Sequence, residues 1–220
     1  MLNIRPLSAE HLATLMETAT VIEKDKKGPK VAVLADGQFL KFFYRKRFFN
    51  RELLAPAAVK FARNAHQLEQ LDIPTLKVKA LHRIVGESHT VAIYSPLAGR
   101  TLRDIVKSNE ADANLMYRLG VFLALVQRRG IYFRSIHPGN IIVNEMDFGL
   151  IDILDMRFQS WSLSRWARRR NWRHFFRYPQ EWVNHGDLIE ALIKGYRHSA
   201  DLPLRELSWI DRIVGRVIST

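Results

Sequence analysis

An asparagine and an aspartate stand twelve positions apart in the stretch GIYFRSIHPGNIIVNEMDFGLIDILD, residues 130–155, on either side of a short apolar hairpin. Ile141, Ile142 and Val143 form a β-branched run, Asn144 to Asp147 supply turn residues, and Phe148 to Ile153 form a second apolar run. The segment therefore predicts a hairpin. Asn140 enters its first strand and Asp152 lies near the end of its second, so the two polar side chains converge at one mouth. An amide carbonyl and a carboxylate are hard oxygen ligands, suited to Mg²⁺ carrying nucleotide phosphates. Either residue alone is what turns and caps select. The pair, preceded by Arg134 and by His137-Pro138-Gly139, points to a metal site.

YFRSIHPGNIIV resembles the catalytic loop of kinase-like phosphotransferases, HRDxxxxN in protein kinases and HxDxHxxN in aminoglycoside-kinase relatives. GLIDILD likewise resembles their DFG-type metal segment. From about Val21 to about Arg177 the chain is similar to the bacterial lipopolysaccharide core kinases that phosphorylate heptose or Kdo, in the branch of small proteins labelled toluene tolerance proteins. That resemblance implies an α+β, protein-kinase-like two-lobe fold, with a small antiparallel β lobe and a reduced helical lobe. It also implies ATP and Mg²⁺ as cofactors, metal-binding roles for Asn140 and Asp152, and a loop-bracing role for Arg134. The pattern departs at Phe133, Arg134 and Ser135, where the family has His-Arg-Asp. The carboxylate that would orient the acceptor hydroxyl and take its proton is replaced by a hydroxyl, which accepts no proton at neutral pH. Ser135 then positions the acceptor. His137, an imidazole that titrates near neutrality, stands either as the base or as a structural residue that pins the loop.

The elements that must hold these residues follow from periodicity. Residues 1 to about 16 read as a leading helix with Ser8 as N-cap and Leu12 and Leu15 inward. TVIEKD, KVAVLAD and QFLKFFYRK read as three antiparallel strands, separated by KKGP and by Asp36-Gly37. On the kinase likeness, Lys41 in the third strand is the lysine that reaches nucleotide phosphates. Only Gly28 stands where a glycine-rich loop would be. Pro56 opens a helix to about Leu71 whose apolar stripe includes Asn64, the residue best placed to meet Lys41; Glu69 lies at the edge of the stripe and Glu52 precedes the helix. A neutral amide would hold a lysine less strongly than the usual glutamate. IPTLKV, ALHRIVG and HTVAIYS read as further strands. SPLAG resembles the hinge, where backbone groups from Tyr94 to Leu97 would face an adenine. Thr101 caps LRDIVKS, and a longer helix runs to Arg129 with Leu115, Leu119, Phe122, Leu123 and Val126 on one face, stopped by Gly130. Two helices near Asp187–Tyr196 and Leu207–Ile218 complete the chain. The expected division is residues 1–98 and 99–220 within one kinase-like domain.

With 47% hydrophobic residues in 220, the chain can bury a core. No apolar run is long enough to span a bilayer, and the N-terminus lacks a charged-then-apolar signal, so a cytoplasmic location is expected. The absence of cysteine excludes disulfides, thiolate zinc sites and thiol nucleophiles. A net charge of +12 and a pI near 10.2 call for an anionic partner. The charge is clustered at Lys24, Lys26, Lys27 and Lys30, at Arg45, Lys46, Arg47 and Arg51, and in seven arginines from Arg157 to Arg177 interleaved with Trp161, Trp166, Trp172, Phe175 and Phe176. Arg168, Arg169 and Arg170 in a row cannot all face inward.

The favoured expectation is an ATP- and Mg²⁺-dependent phosphotransferase acting on an anionic glycolipid, resembling lipopolysaccharide core kinases, at the inner membrane surface. A pseudokinase that binds nucleotide or lipid and regulates envelope assembly is the second. A nucleic-acid-binding module, supported by charge and aromatics alone, is the third, and nucleic acid is not the favoured partner.

Overall fold

A computed structural model of the chain describes residues 3–44, 56–144, 148–203 and 208–218. In it the alternating apolar runs of the first part of the chain pair into a six-stranded sheet. The strands are β1 (Ile4–Leu7), β2 (Thr20–Asp25), β3 (Gly28–Val33), β4 (Phe39–Tyr44), β5 (Lys77–Ile84) and β6 (His89–Ser95), in the order β1-β5-β6-β4-β3-β2. All neighbours are antiparallel except β1 and β5. Turn chemistry sets the hairpins: Lys27 N–H donates to Asp25 Oδ1 at 2.8 Å, and Gln38 N–H donates to Asp36 Oδ1 at 2.9 Å beside Gly37 at φ 80°. Asp25 pairs with Gly28, so only Lys26 and Lys27 separate the first two strands of that hairpin. A two-residue turn stands where a phosphate-cradling loop was sought.

The sheet is held by two helices, α1 (Ala9–Glu17) and α2 (Ala57–Gln70). Ser8 caps α1 by accepting from His11 N–H at 3.1 Å, and Leu12 is buried with Leu40, Phe42, Ile84 and Val91. Along α2 the buried stripe is Ala58, Phe61, Asn64, Ala65 and Leu68. Fully burying a side chain such as Phe61 or Leu68 contributes about 1.5–3 kcal/mol. The leading segment departs from expectation: residues 4–7 are not helix but a parallel edge strand on β5, with Val85 N–H donating to Leu7 O at 2.9 Å. Four residues are too few to show a period, and Pro6 is tolerated because the strand is an edge. Leu15 is only half-buried. IPTLKV and ALHRIVG merge into the single strand β5, irregular between Val78 and Ala80.

Beyond β6 lie β7 (Arg100–Thr101), α3 (Leu102–Lys107), α4 (Ala113–Arg128), β8 (Ile131–Phe133), β9 (Ile141–Val143), β10 (Phe148–Leu150), β11 (Met156–Phe158), α5 (Arg165–Phe175), α6 (Gly186–Ser199) and α7 (Ser208–Ile218). Thr101 Oγ1 accepts from Asp104 N–H at 3.1 Å, as an N-cap should. Buried α4 presents Met116, Leu119, Phe122, Leu123 and Val126 inward, with Leu115 half-buried at its edge. Gly130 ends the helix at φ 74°. Two compact units result, Met1–Gln70 with Thr75–Leu97, and Leu71–Pro74 with Ala98–Thr220.

The arginine-rich stretch divides sharply. Trp172, Phe175 and Phe176 of α5 and its C-cap are buried against Trp182 and Tyr196, whereas Trp161 and Trp166 are exposed. Arg168 is 1% exposed and donates to Leu163 O, Ala200 O, Tyr196 Oη and Ser162 Oγ. Of the three consecutive arginines, Arg168 is thus internal while Arg170 is exposed. The Arg168 guanidinium is solvated by protein oxygens instead of water. The cluster Arg45, Lys46, Arg47 and Arg51, with Glu52 and the turn residues 145–147, lies outside the described residues.

Candidate active site

Strand pairing brings the two proposed metal ligands to one end of a hairpin. In the antiparallel β9–β10 ladder Ile141 stands opposite Leu150, and Ile151 N–H donates to Asn140 O at 3.1 Å just before Asp152. Asn140 closes a 3₁₀ turn, Pro138–Asn140, and is 7% exposed. Its Nδ2 donates to Ser135 O at 2.8 Å, which ties the loop and leaves Oδ1 as the atom a cation would take. Asp152 is exposed and adopts φ 51°, ψ 48°, a left-handed conformation uncommon for a residue with a side chain. It opens a second 3₁₀ turn, Ile153–Asp155, without making a capping bond to it. Asp72, Asn109, Asn184 and Asp201 share this positive φ, which short polar side chains tolerate best. Among the described residues no group of three or more His, Cys, Asp or Glu forms a metal cage. Mg²⁺ held mainly by phosphate oxygens and water needs only one or two protein ligands, so an amide oxygen and a carboxylate fit it.

A carboxylate that sequence reasoning left unassigned faces Ser135. The β8–β11 ladder sets Phe133 opposite Met156, which brings the flanking Arg134 and Ser135 beside Asp155. Ser135 Oγ donates to Asp155 Oδ2 at 3.2 Å, and Arg134 Nη2 lies 3.6 Å from the same oxygen. A carboxylate therefore stands within hydrogen-bond reach of the serine that occupies the place of the acid. The sequence held one signal, a second aspartate three positions after Asp152, but nothing local distinguishes it from a turn residue.

His137 is half-buried and committed. Its Nδ1 accepts from Gly139 N–H at 3.1 Å and lies 3.4 Å from Arg103 Nη2. Both neighbours are donors, so Nδ1 is the bare nitrogen and the neutral ring carries its proton on Nε2. Burial, and then the positive charge of Arg103, hold its pKa below the ordinary histidine value, against the opposing pull of Glu181 and Asp152. An imidazole so placed pins the loop by accepting at Nδ1. Arg103 Nε in turn pairs with Glu181 Oε1 at 2.7 Å, and Tyr178 packs against both His137 and Arg103. Arg103 and Glu181 are separated by 78 positions, so no motif could have joined them.

The remaining expected residues lie in the first unit. Lys41 pairs with Val31 and Ala92 in the sheet, and its Nζ lies 5.5 Å from the ring centre of Phe61 on α2. Asn64, one turn farther along α2, is 3% exposed. Tyr94 is buried against Phe39 and Phe61, and Leu97, half-buried, ends that unit.

No family model matches the chain. Part of it is similar to curated kinases. The probable serine/threonine-protein kinase PknB of Bifidobacterium longum is 32% identical over 115 residues, covering 44% of this chain and 17% of that protein. Mitogen-activated protein kinase 12 of Danio rerio is 26% identical over 129 residues, covering 50% of this chain and 36% of its own length. The chain thus spans little more than a third, at most, of these two relatives. The partial similarity supports a kinase-like family, and the mixed architecture of sheet and helices is compatible with a kinase-like fold.

Proposed function

We propose that the chain is an ATP- and Mg²⁺-dependent phosphotransferase of the kinase-like class, transferring phosphate to a sugar hydroxyl of an anionic glycolipid of the lipopolysaccharide-core kind at a membrane surface. The observation that carries this reading is the convergence of Asn140 and Asp152 at one end of the β9–β10 hairpin beside a loop fixed by the Asn140 Nδ2 to Ser135 O bond. Both kinase relatives support the class of reaction.

Asn140 Oδ1 and the Asp152 carboxylate would hold Mg²⁺, which when bound offsets negative charge on the phosphates. Lys41, Asn64 and the backbone from Tyr94 to Leu97 keep the nucleotide-side roles in this proposal. Asp155 takes the acceptor's proton as the acceptor oxygen bonds to the γ-phosphorus and the bond to the ADP oxygen breaks. Ser135 shares the same Asp155 oxygen and positions the incoming hydroxyl. Arg134 lies 3.6 Å from that carboxylate and helps to orient it. His137, whose Nδ1 accepts from Gly139 N–H, steadies the loop in this proposal and does not act as the base.

The pseudokinase reading is the second, and the hydroxyl of Ser135 in the place of an acid favours it. A nucleotide thermal-shift titration followed by transfer of labelled γ-phosphate to isolated lipopolysaccharide core separates the two. Asn140→Ala and Asp152→Ala should each abolish Mg²⁺-dependent ATP binding with the fold intact. Asp155→Asn should still bind Mg²⁺-ATP but lose about 10²–10⁴-fold in transfer, the usual contribution of a general base. Unchanged ATP affinity in both metal-site variants would remove the assignment. Tight binding with wild-type turnover no higher than that of Asp152→Ala would establish a pseudokinase.

A further inference from the structure

From Met156 to Gln180 the chain has seven arginines and no aspartate or glutamate. Arg168 is internal, but Arg157, Arg165, Arg170, Arg173 and Arg177 are exposed. Helical spacing places Trp166, Arg170 and Arg173 on one stripe of α5, at i, i+4 and i+7. Trp166 is 65% exposed and Trp161, in the preceding loop, is 71% exposed, whereas Trp172, Trp182 and Trp209 are all buried. Two large aromatics are left in water on a segment that carries exposed arginines and no acid, a combination that suits a partner taking both. The field at this face is positive enough to act on its neighbours: burial, then Arg170, Arg177 and Arg134, hold the pKa of His174 below the ordinary value.

We propose that the exposed face of α5, with the loop bearing Trp161, docks the protein on a bilayer surface rich in anionic phosphate headgroups. Arginines meet the phosphates while the two indoles sit at the headgroup level, where amphipathic rings are favoured. Single-stranded nucleic acid offers the same charge but would use the indoles as stacking platforms. The Arg170 guanidinium already lies over the Trp166 ring, 5.3 Å from its centre, which takes up one of the faces a base would need. The ring edge stays available for insertion among headgroups. The inference rests on the membrane-surface part of the function proposed above, and its test requires neither nucleotide nor acceptor.

The test is co-sedimentation of the full chain with mixed phosphatidylglycerol–phosphatidylcholine vesicles and with pure phosphatidylcholine vesicles, with acrylamide quenching of tryptophan emission as the second readout. Binding should require phosphatidylglycerol and weaken steeply with salt. Arg170→Ser/Arg173→Ser should bind about 30-fold more weakly, since each basic residue near an anionic surface is worth about a factor of five. Vesicles should shield the wild-type emission from acrylamide, and Trp161→Ser/Trp166→Ser should lose that shielding. Equal binding to both vesicle types, or unchanged binding by the arginine variant, would overturn the proposal. So would a single-stranded oligonucleotide that shields the indoles where vesicles do not. Should circular dichroism find the arginine variant unfolded, the tryptophan variant decides alone, because shielding that survives the loss of both exposed indoles refutes the docking face.

Discussion

Arg168 and Arg170 are two positions apart on one helix, yet they answer to different physics. Arg168 donates to two backbone carbonyls, Leu163 O and Ala200 O, and to the hydroxyls of Ser162 and Tyr196, in a site that water does not reach. Truncating it strands those acceptors and opens a void. Arg168→Ala should therefore destabilise the protein by about 3 kcal/mol, as loss of charged hydrogen bonds in a buried setting does. Arg170 is exposed and lies over the Trp166 ring at the surface, so Arg170→Ala should stay within about 0.5 kcal/mol of wild type. Urea unfolding of the two variants makes the comparison, and equal midpoints would mean that Arg168 is not the tie between α5, the loop before it and the end of α6. The same contrast bears on binding: Arg168 belongs to the fold, so a variant that includes it cannot report on docking.

At the level of elements, the tightest joint is α4 against α6. A Cβ on Gly120 would strike Leu192 O and Tyr196 N, and one on Gly195 would strike Tyr117 O, so the two backbones approach as closely as glycine permits. Backbone atoms cannot swing aside as a side chain can. Gly120→Ala should push the helices apart and destabilise by about 3 kcal/mol, at the upper end for overpacking, despite alanine's better helix propensity. A thermal melt that rises instead would show that the joint has slack. Neither glycine was marked in the sequence, because a close crossing depends on two helices 75 positions apart (120 and 195) that no single period records. What was legible is local. The Ile141–Val143 and Phe148–Leu150 hairpin, the α2 stripe with Asn64 on it, and the Thr101 cap each follow from a few adjacent residues. Strand β1 was missed because its pairing partner, β5, lies far along the chain. Asp155 and the Arg103–Glu181 pair were missed for the same reason: strand register and tertiary packing, not motif, bring them to Ser135 and His137.

For the molecule as a whole, the net charge of +12 and three histidines act in the same direction as pH falls. His82, His137 and His174 all have pKa values below the ordinary histidine value, each chiefly through burial and then through nearby positive charge. For His82 the charges are Arg5 and His11; for His137, Arg103; for His174, Arg170, Arg177 and Arg134. With the folded pKa below the unfolded one, the unfolded chain takes up protons first. Stability is therefore fully present above the ordinary histidine value and is lost as pH falls through about 6.5 toward the lower folded values. Each added proton also raises the positive charge of an already basic chain, which favours expansion. The midpoint of thermal unfolding should accordingly drop by several degrees between about pH 7.5 and about pH 5.5. His174→Gln should flatten that drop, since a side chain that does not titrate removes one of the three linked protons. A melting midpoint that holds constant across this range, or a His174→Gln variant as steep as wild type, would mean that these imidazoles titrate alike in the folded and unfolded chain, and that the arginine field at the α5 face is screened before it reaches His174.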